Sequence, residues 1–275
     1  MVRLLIYLLK ALLIAITLSY ASFQDIKTRE IDDKVWLLVI PVGALLTAIE
    51  IFTTQGYPLL LAGLSIALTV VLALILFYAG LYGGADAKAL IAIAITLPLP
   101  PYAQFVSPFY PLAVFGNALL LSLLLIPTCL LWNFAWVLSK KPLFAGIKAT
   151  TPQKLVALFT GIRVRPNTAR SVHFNLIEQV SSGKEERKDE HEESISIEKT
   201  NPDEDTEAQK GWHYLKLFKR VEDTDEPKVI DPQCKYVWVT PALPMIVFLL
   251  AGFLISFVVG DLVFNAVSLF LGTFL

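Results

Sequence analysis

Asp25 and Asp86 are the residues of this 275-residue chain whose type and setting point most directly to chemistry. Each adjoins a long apolar stretch, and a carboxylate at the centre of a bilayer costs about 2.5–3.5 kcal/mol, so acids near such segments usually serve a function. Two carboxyls that share one proton can hydrolyse a peptide bond. The ionised one draws a proton from water, and the protonated one donates to the carbonyl oxygen. Repulsion between the two keeps one of them protonated near neutral pH. Asp25 closes an apolar stretch and Asp86 opens another, immediately after Gly83-Gly84-Ala85. A helix N-terminus favours a negative charge and a C-terminus disfavours it. That asymmetry predicts a charged Asp86 and a protonated Asp25. Taken alone, the Gly83-Gly84 pair with Asp86 also reads as a tight turn, with positive φ at glycine and an aspartate cap on the next helix.

The elements that would position this pair follow from composition. Hydrophobic residues make up 55% of the chain and charged ones 17%, against about 45–50% and 25% in soluble domains. Mean hydropathy is +0.62. Residues 139–236 carry 17 Lys+Arg and 17 Asp+Glu, so 34 of the 47 charges fall in 98 positions. That division excludes a single soluble globule and predicts an all-α polytopic membrane protein with one aqueous insertion. Six stretches approach the roughly 20 residues needed to cross a bilayer as a helix: 4–23, 35–52, 58–82, 87–97, 111–138 and 241–259. The fourth is short, ending before Pro98, Pro100 and Pro101. Residues 261–275 either prolong the sixth helix or lie at the interface. A basic start followed by an apolar run and Ala21-Ser22 also fits a secretory signal peptide, but the run is long for one.

Orientation follows from Lys and Arg in the loops. Lys27, Arg29 and Lys34 lie in the first loop, Lys88 beside the turn before the fourth stretch, and Lys140, Lys141 and Lys148 at the start of the insertion. The alternate loops, 53–57 and 98–110, have none. This pattern predicts both termini outside and Asp25, Asp86 and the insertion in the cytosol, with Arg3 dissenting. The core division is then 1–138, with five helices, and 237–275, with the last helix and tail. Residues 139–236 form the insertion.

Only seven acidic residues lie outside the insertion. Glu50 and Asp261 fall near outer helix ends and are expected to be solvated interfacial carboxylates. Glu30, Asp32 and Asp33 sit among Lys27, Arg29 and Lys34 as loop charges. Within the insertion, residues 181–210 are charge-dense and nearly free of large apolar side chains, which predicts a flexible tether. Residues 155–164, 212–221 and 236–240 are better candidates for order. The last two have strand-like content and could pair, giving a small, β-containing module. The insertion is neutral and no basic stripe occurs elsewhere, so nucleic acid is not an expected partner. Two cysteines, Cys129 and Cys234, cannot form a structural zinc site between them.

Asp25-Ile26-Lys27-Thr28-Arg29-Glu30-Ile31 and Gly83-Gly84-Ala85-Asp86-Ala87-Lys88 resemble the two aspartate blocks of the type IV prepilin peptidases, GxGD-type intramembrane aspartyl proteases. The archaeal preflagellin and prepilin branch is the nearer one, because Val239-Thr240-Pro241-Ala242-Leu243-Pro244 is similar to its C-terminal pattern, opening the last helix. Ala85 stands where the motif has its second glycine. The four-cysteine zinc and methyltransferase elements of the bacterial branch are missing. The resemblance covers about 1–138 and 237–275.

It implies a membrane-embedded aspartic endopeptidase with Asp25 and Asp86 as the catalytic pair and no cofactor or metal. The implied substrates are preflagellin- or prepilin-like precursors, cut at the cytosolic membrane face to remove a short basic leader, without N-methylation. Gly83, Gly84, Ala85, Lys88 and Arg29 would support the aspartates. Glu30, Asp32 and Asp33 would attract the leader. The lipid bilayer is the other expected partner, and no feature specifies an oligomeric state. The alternative reading is an ion-coupled six-helix transporter with Asp25 and Asp86 as proton or cation sites. Carrier sites usually lie near the midplane, whereas these aspartates flank helix ends.

Overall fold

The apolar stretches fold into helices in a computed structural model that describes residues 2–100, 107–140, 143–144, 147–170, 174–181, 212–215, 235–241 and 244–272. The helices are α1 (Val2–Thr28), α2 (Asp33–Thr53), α3 (Leu59–Tyr78), α4 (Gly84–Thr96), α5 (Tyr110–Ser122) and α6 (Leu125–Leu138). A mixed region follows, with β1 (Ile147–Lys148), α7 (Thr151–Thr160), β2 (Ile162–Val164), α8 (Pro166–Ala169), β3 (Phe174–Leu176), β4 (Glu178–Ser181), β5 (Trp212–Leu215) and β6 (Val237–Pro241). The described chain closes with α9 (Met245–Val258) and α10 (Leu262–Gly272). Two compact units result. One is built from α1–α5, α9 and α10, the other from α6–α8 and the strands.

By length and composition, Arg3–Thr28, Asp33–Thr53, Leu59–Tyr78 and Tyr110–Leu138 can each cross a membrane, and α9 with α10 forms a bent fifth candidate. The protein is thus a multi-pass membrane protein. The short fourth stretch is the 13-residue α4, and the architecture matches the expected helical membrane fold.

α4 is the centre of its unit. It touches α1, α2, α3, α5 and α9, and Ala87, Ala89, Leu90, Ala92, Ile93 and Ala94 are buried. Small side chains let neighbouring helix backbones approach closely. The helix stops at Leu97 because Pro98 has no N–H to continue it. Its freed carbonyls find partners on adjacent helices. Thr47 Oγ1 donates to the Ile95 and Thr96 carbonyls at 2.9 and 3.0 Å, and Ser65 Oγ donates to Pro98 O at 2.7 Å. A short helix inside a membrane protein is tolerated when neighbours satisfy its backbone in this way.

The same device holds the break between α9 and α10, which bend by 62°. Gly260 has φ 93°, a conformation open to glycine and strained for other residues. Asn117 of α5, fully buried, donates to Ser256 Oγ and Gly260 O, both at 2.8 Å, and accepts from Leu262 N at 2.9 Å. The terminal segment is therefore a separate helix turned against the last span. Asp261 Oδ1 accepts from Phe264 N at 2.9 Å and so caps α10.

Glu50 departs from expectation. It is buried, at 5% exposure, and accepts from Lys10 Nζ at 2.7 Å, with Arg3 Nε at 3.7 Å. Lys10 itself is 1% exposed. Acid and base each need the other because neither can reach bulk water from inside the helix pair.

In the second unit, strand order is β1-β5-β4 in one sheet and β2-β6-β3 in the other. The two segments expected to pair with each other, around β5 and β6, instead lie in different sheets. β6 is the central strand of its sheet, with Val239 opposite both Ile162 and Leu176. Its last residues also correct the expectation that Val239–Pro241 open a helix: they are strand, and α9 begins at Met245 after Pro244. Proline contributes no N–H, so this run suits a strand end and a helix cap better than a helix interior. Around β6, Trp238 stacks on Phe144 at 4.9 Å and its indole donates to Leu143 O at 3.0 Å. Apart from Ser181 in β4, the expected tether 181–210 lies outside the described residues.

Candidate active site

Asp25 lies in the last turn of α1 and is buried, at 8% exposure. Two bonds from Arg29 hold that turn. The Arg29 N–H donates to Asp25 O at 3.1 Å, and its guanidinium donates to Asp25 Oδ1 at 3.4 Å. Arg29 ends the helix with φ 63°, a left-handed conformation that costs a non-glycine residue about 1–2 kcal/mol. The motif arginine thus terminates the helix and places a cation on the aspartate.

Asp86 enters from the opposite helix polarity. It occupies the first turn of α4, where its Oδ2 accepts from Gly83 N at 3.3 Å. The Gly83-Gly84 pair does not supply the positive φ expected of it. Gly83 has φ −69° and is the helix cap, and the left-handed residue is Gly80, at φ 69°. Glycine at 83 instead leaves room for the carboxylate: a Cβ there would stand 3.2 Å from Asp86 Oδ2 and press on it. Asp86 is partly buried. Its proton affinity is raised first by burial and then by the negative charge of Asp25, against smaller opposing effects of the Gly83 N–H and Arg29. The two carboxyls, 61 positions apart in sequence, therefore interact electrostatically.

The supporting residues divide by contact. Lys88 Nζ donates to Asp33 Oδ1 at 2.6 Å and ties α4 to the start of α2. Asp32 is the α2 cap, accepting from Lys34 N at 3.0 Å, with Lys34 Nζ at 3.6 Å. Ala85 packs against the core formed by the helices, and Gly84 lies alongside Phe77. Glu30 is exposed, and among the described residues it has no ion pair.

The sequence reading passed over Tyr82. Its ring lies 5.9 Å from that of Phe115, and its hydroxyl is buried without a hydrogen-bond partner among the described residues. Burial, and secondly the charge of Asp86, hold that hydroxyl in its protonated form. A tyrosine at the end of an apolar stretch ordinarily signals a membrane-interface aromatic, which masks any link to the aspartate four residues on.

Family comparison locates this geometry. The model of the type IV leader peptidase family matches residues 12–133, which include both aspartates, and a model of the archaeal peptidase A24 C-terminus, type II, matches residues 153–262. The chain belongs to the type IV leader peptidase family. Within that family it is similar to the preflagellin peptidase of Methanococcus voltae, with 25% identity over 91% of this chain and 94% of the relative. The preflagellin peptidases of Methanococcus maripaludis and Methanocaldococcus jannaschii are each 22% identical. Those two alignments cover 90% and 94% of this chain, and 93% and 96% of the relatives. This leader peptidase relative is accordingly a peptidase of the membrane, and its first family segment contains the Asp25 and Asp86 motifs.

Proposed function

We propose that the protein is a membrane-embedded aspartic endopeptidase that removes the short basic leader from preflagellin- or prepilin-like precursors. The observation that supports this reading is that the motif aspartates sit in the last turn of α1 and the first turn of α4, helices that touch, with the charge of Asp25 bearing on Asp86. The similarity to preflagellin peptidases over nine-tenths of the chain supports the substrate class.

In the resting pair, Asp25 carries the charge and Asp86 the proton. This reverses the assignment expected from helix ends. Arg29 contacts Asp25 directly at 3.4 Å, whereas at Asp86 burial and the charge of Asp25 favour the proton against the smaller effects of the Gly83 N–H and Arg29. Asp25 accepts a proton from water as its oxygen attacks the scissile carbonyl, and Asp86 donates its proton to the carbonyl oxygen. Collapse of the tetrahedral intermediate returns a proton to the departing amine and breaks the C–N bond. No N-methyl transfer follows. Lys and Arg in the loops beside both aspartates support a cytosolic site with outside termini. Residues 1–138 and 237–275 form the catalytic core, and 139–236 a cytosolic insertion. Of the three acidic candidates for the leader, Glu30 is the one left available, because Asp32 caps α2 and Asp33 holds Lys88.

The test is incubation of purified protein with a preflagellin or prepilin in detergent or liposomes, read by intact mass. A mass loss equal to the leader is expected, with Asp25→Asn and Asp86→Asn each slowing cleavage by about 10²–10⁴-fold or more. Absence of wild-type cleavage across a precursor panel and pH range overturns the activity, and retained cleavage in Asp86→Asn overturns the residue assignment.

A further inference from the structure

The second unit carries an apolar helix face that water gives no reason to expose. α7 buries Ala157 and packs Leu158 toward Trp238. Leu155 and Phe159, four residues apart and therefore on one face, are 52% and 44% exposed.

The depth of this helix is fixed by α6, which ends the membrane-crossing run Tyr110–Leu138. The Asn133 side chain donates to Leu158 O and Gly161 O, both at 2.9 Å. These bonds dock the C-terminal end of α7 against α6 at Asn133, five residues short of Leu138. At 1.5 Å per residue that is about 7–8 Å inside the helix end. On its other faces α6 exposes Leu131 and Trp132 before Asn133, and Phe134, Val137 and Leu138 after it. An exposed apolar band on both sides of Asn133, within a membrane-crossing run, is the kind of surface that lipid covers. The end of α7 lies level with it.

We propose that α7 is an interfacial helix, inserting Leu155 and Phe159 into the boundary between lipid headgroups and acyl chains and so seating the second unit on the bilayer. Helices of this kind bury their apolar face about 5–10 Å into the headgroup region, which agrees with the depth set by Asn133. The occupant is lipid rather than another protein, because within the same unit α7 is docked at the level where α6 exposes its apolar residues. The inference depends on the membrane fold and not on catalysis.

The experiment uses full-length protein in phosphatidylcholine–phosphatidylglycerol liposomes. Cys129→Ala and Cys234→Ser leave one thiol, introduced by Phe159→Cys and labelled with an environment-sensitive fluorophore. Leu155→Cys provides a second position on the same face should the first variant fail to fold, with helical circular dichroism as the folding check. Nitroxide-bearing lipid is expected to lower emission at least about twofold, with aqueous iodide having little effect, as for a shallowly inserted helix. Quenching by iodide but not by nitroxide lipid overturns the proposal. Protection from both quenchers also overturns it, since the face would then be covered by protein, from this chain or a second copy.

Discussion

The negative charge of Asp25, in the last turn of α1, adds to the larger effect of burial in raising the proton affinity of Asp86, in the first turn of α4. Arg29 acts on both. It pairs with Asp25 at 3.4 Å and opposes proton binding at Asp86. One cation thus bears on the charge state of two acids, and the pH behaviour of the site follows from it.

Replacing Arg29 with Gln removes a positive charge that lowers the proton affinity of Asp86. A carboxyl that loses a nearby cation ionises at higher pH, so the alkaline limb of kcat/KM moves upward, by up to about one pH unit. Arg29→Lys, which keeps the charge, is expected to restore most of the wild-type limb. An unmoved limb in Arg29→Gln means that Asp86 does not set it.

Stability has the opposite dependence. Asp86 holds its proton to about pH 7 in the folded protein, whereas in the unfolded chain aspartate titrates at about 3.9. The folded state therefore binds more protons between those two values, and stability falls as pH rises through that window. Asparagine at 86 cannot ionise, yet its carbonyl can still accept from Gly83 N. Asp86→Asn is thus expected to melt at higher temperature than wild type by a margin that grows from about pH 4 to about pH 8. Thermal melts across that range check this, and a margin independent of pH contradicts it.

Lys10 and Glu50 form a buried pair between α1 and α2. Lys10→Met or Glu50→Leu alone leaves a buried partner charge and is expected to cost about 3–5 kcal/mol, whereas the double variant loses far less or none. Reversible denaturation in detergent measures the cycle. Additive single effects would show that the pair is not coupled.

Asn117→Leu removes the donor to Ser256 and Gly260 and the acceptor for Leu262 N. Buried groups left unpaired cost about 1–3 kcal/mol each, and solvent entry at the break offsets part of that. A loss of about 2–4 kcal/mol is expected, with faster amide exchange at Leu262 than in α5. Exchange that stays slow at Leu262 would assign the bend to Gly260 alone.

The apolar stretches and the sorting of charge were readable along the chain, because crossing hydrocarbon demands long runs nearly free of ions. Asp25 and Asp86 stood out for the same reason, each flanked by local motif residues whose types are visible without coordinates. The partners of those residues were not visible. Glu50 reads as solvated until Lys10, forty positions away, is placed against it. Gly83 reads as a source of positive φ until Asp86 turns back onto its N–H. The strands near residues 212 and 237 look like mutual partners, yet each found its neighbours elsewhere.

Which acid holds the proton is of the same kind. Helix ends alone favour charge on Asp86, through fields of a few tenths to about 1 kcal/mol. Burial, the charge of Asp25 and a guanidinium contact act over distances set by tertiary packing, and the proposed assignment rests on them rather than on the helix dipole. The sequence by itself determined the membrane fold and the two acids, since hydropathy and motif are local properties. Only the tertiary structure decided their electrostatic coupling and the partner of each buried charge, because those energies depend on distance in space and on the exclusion of water.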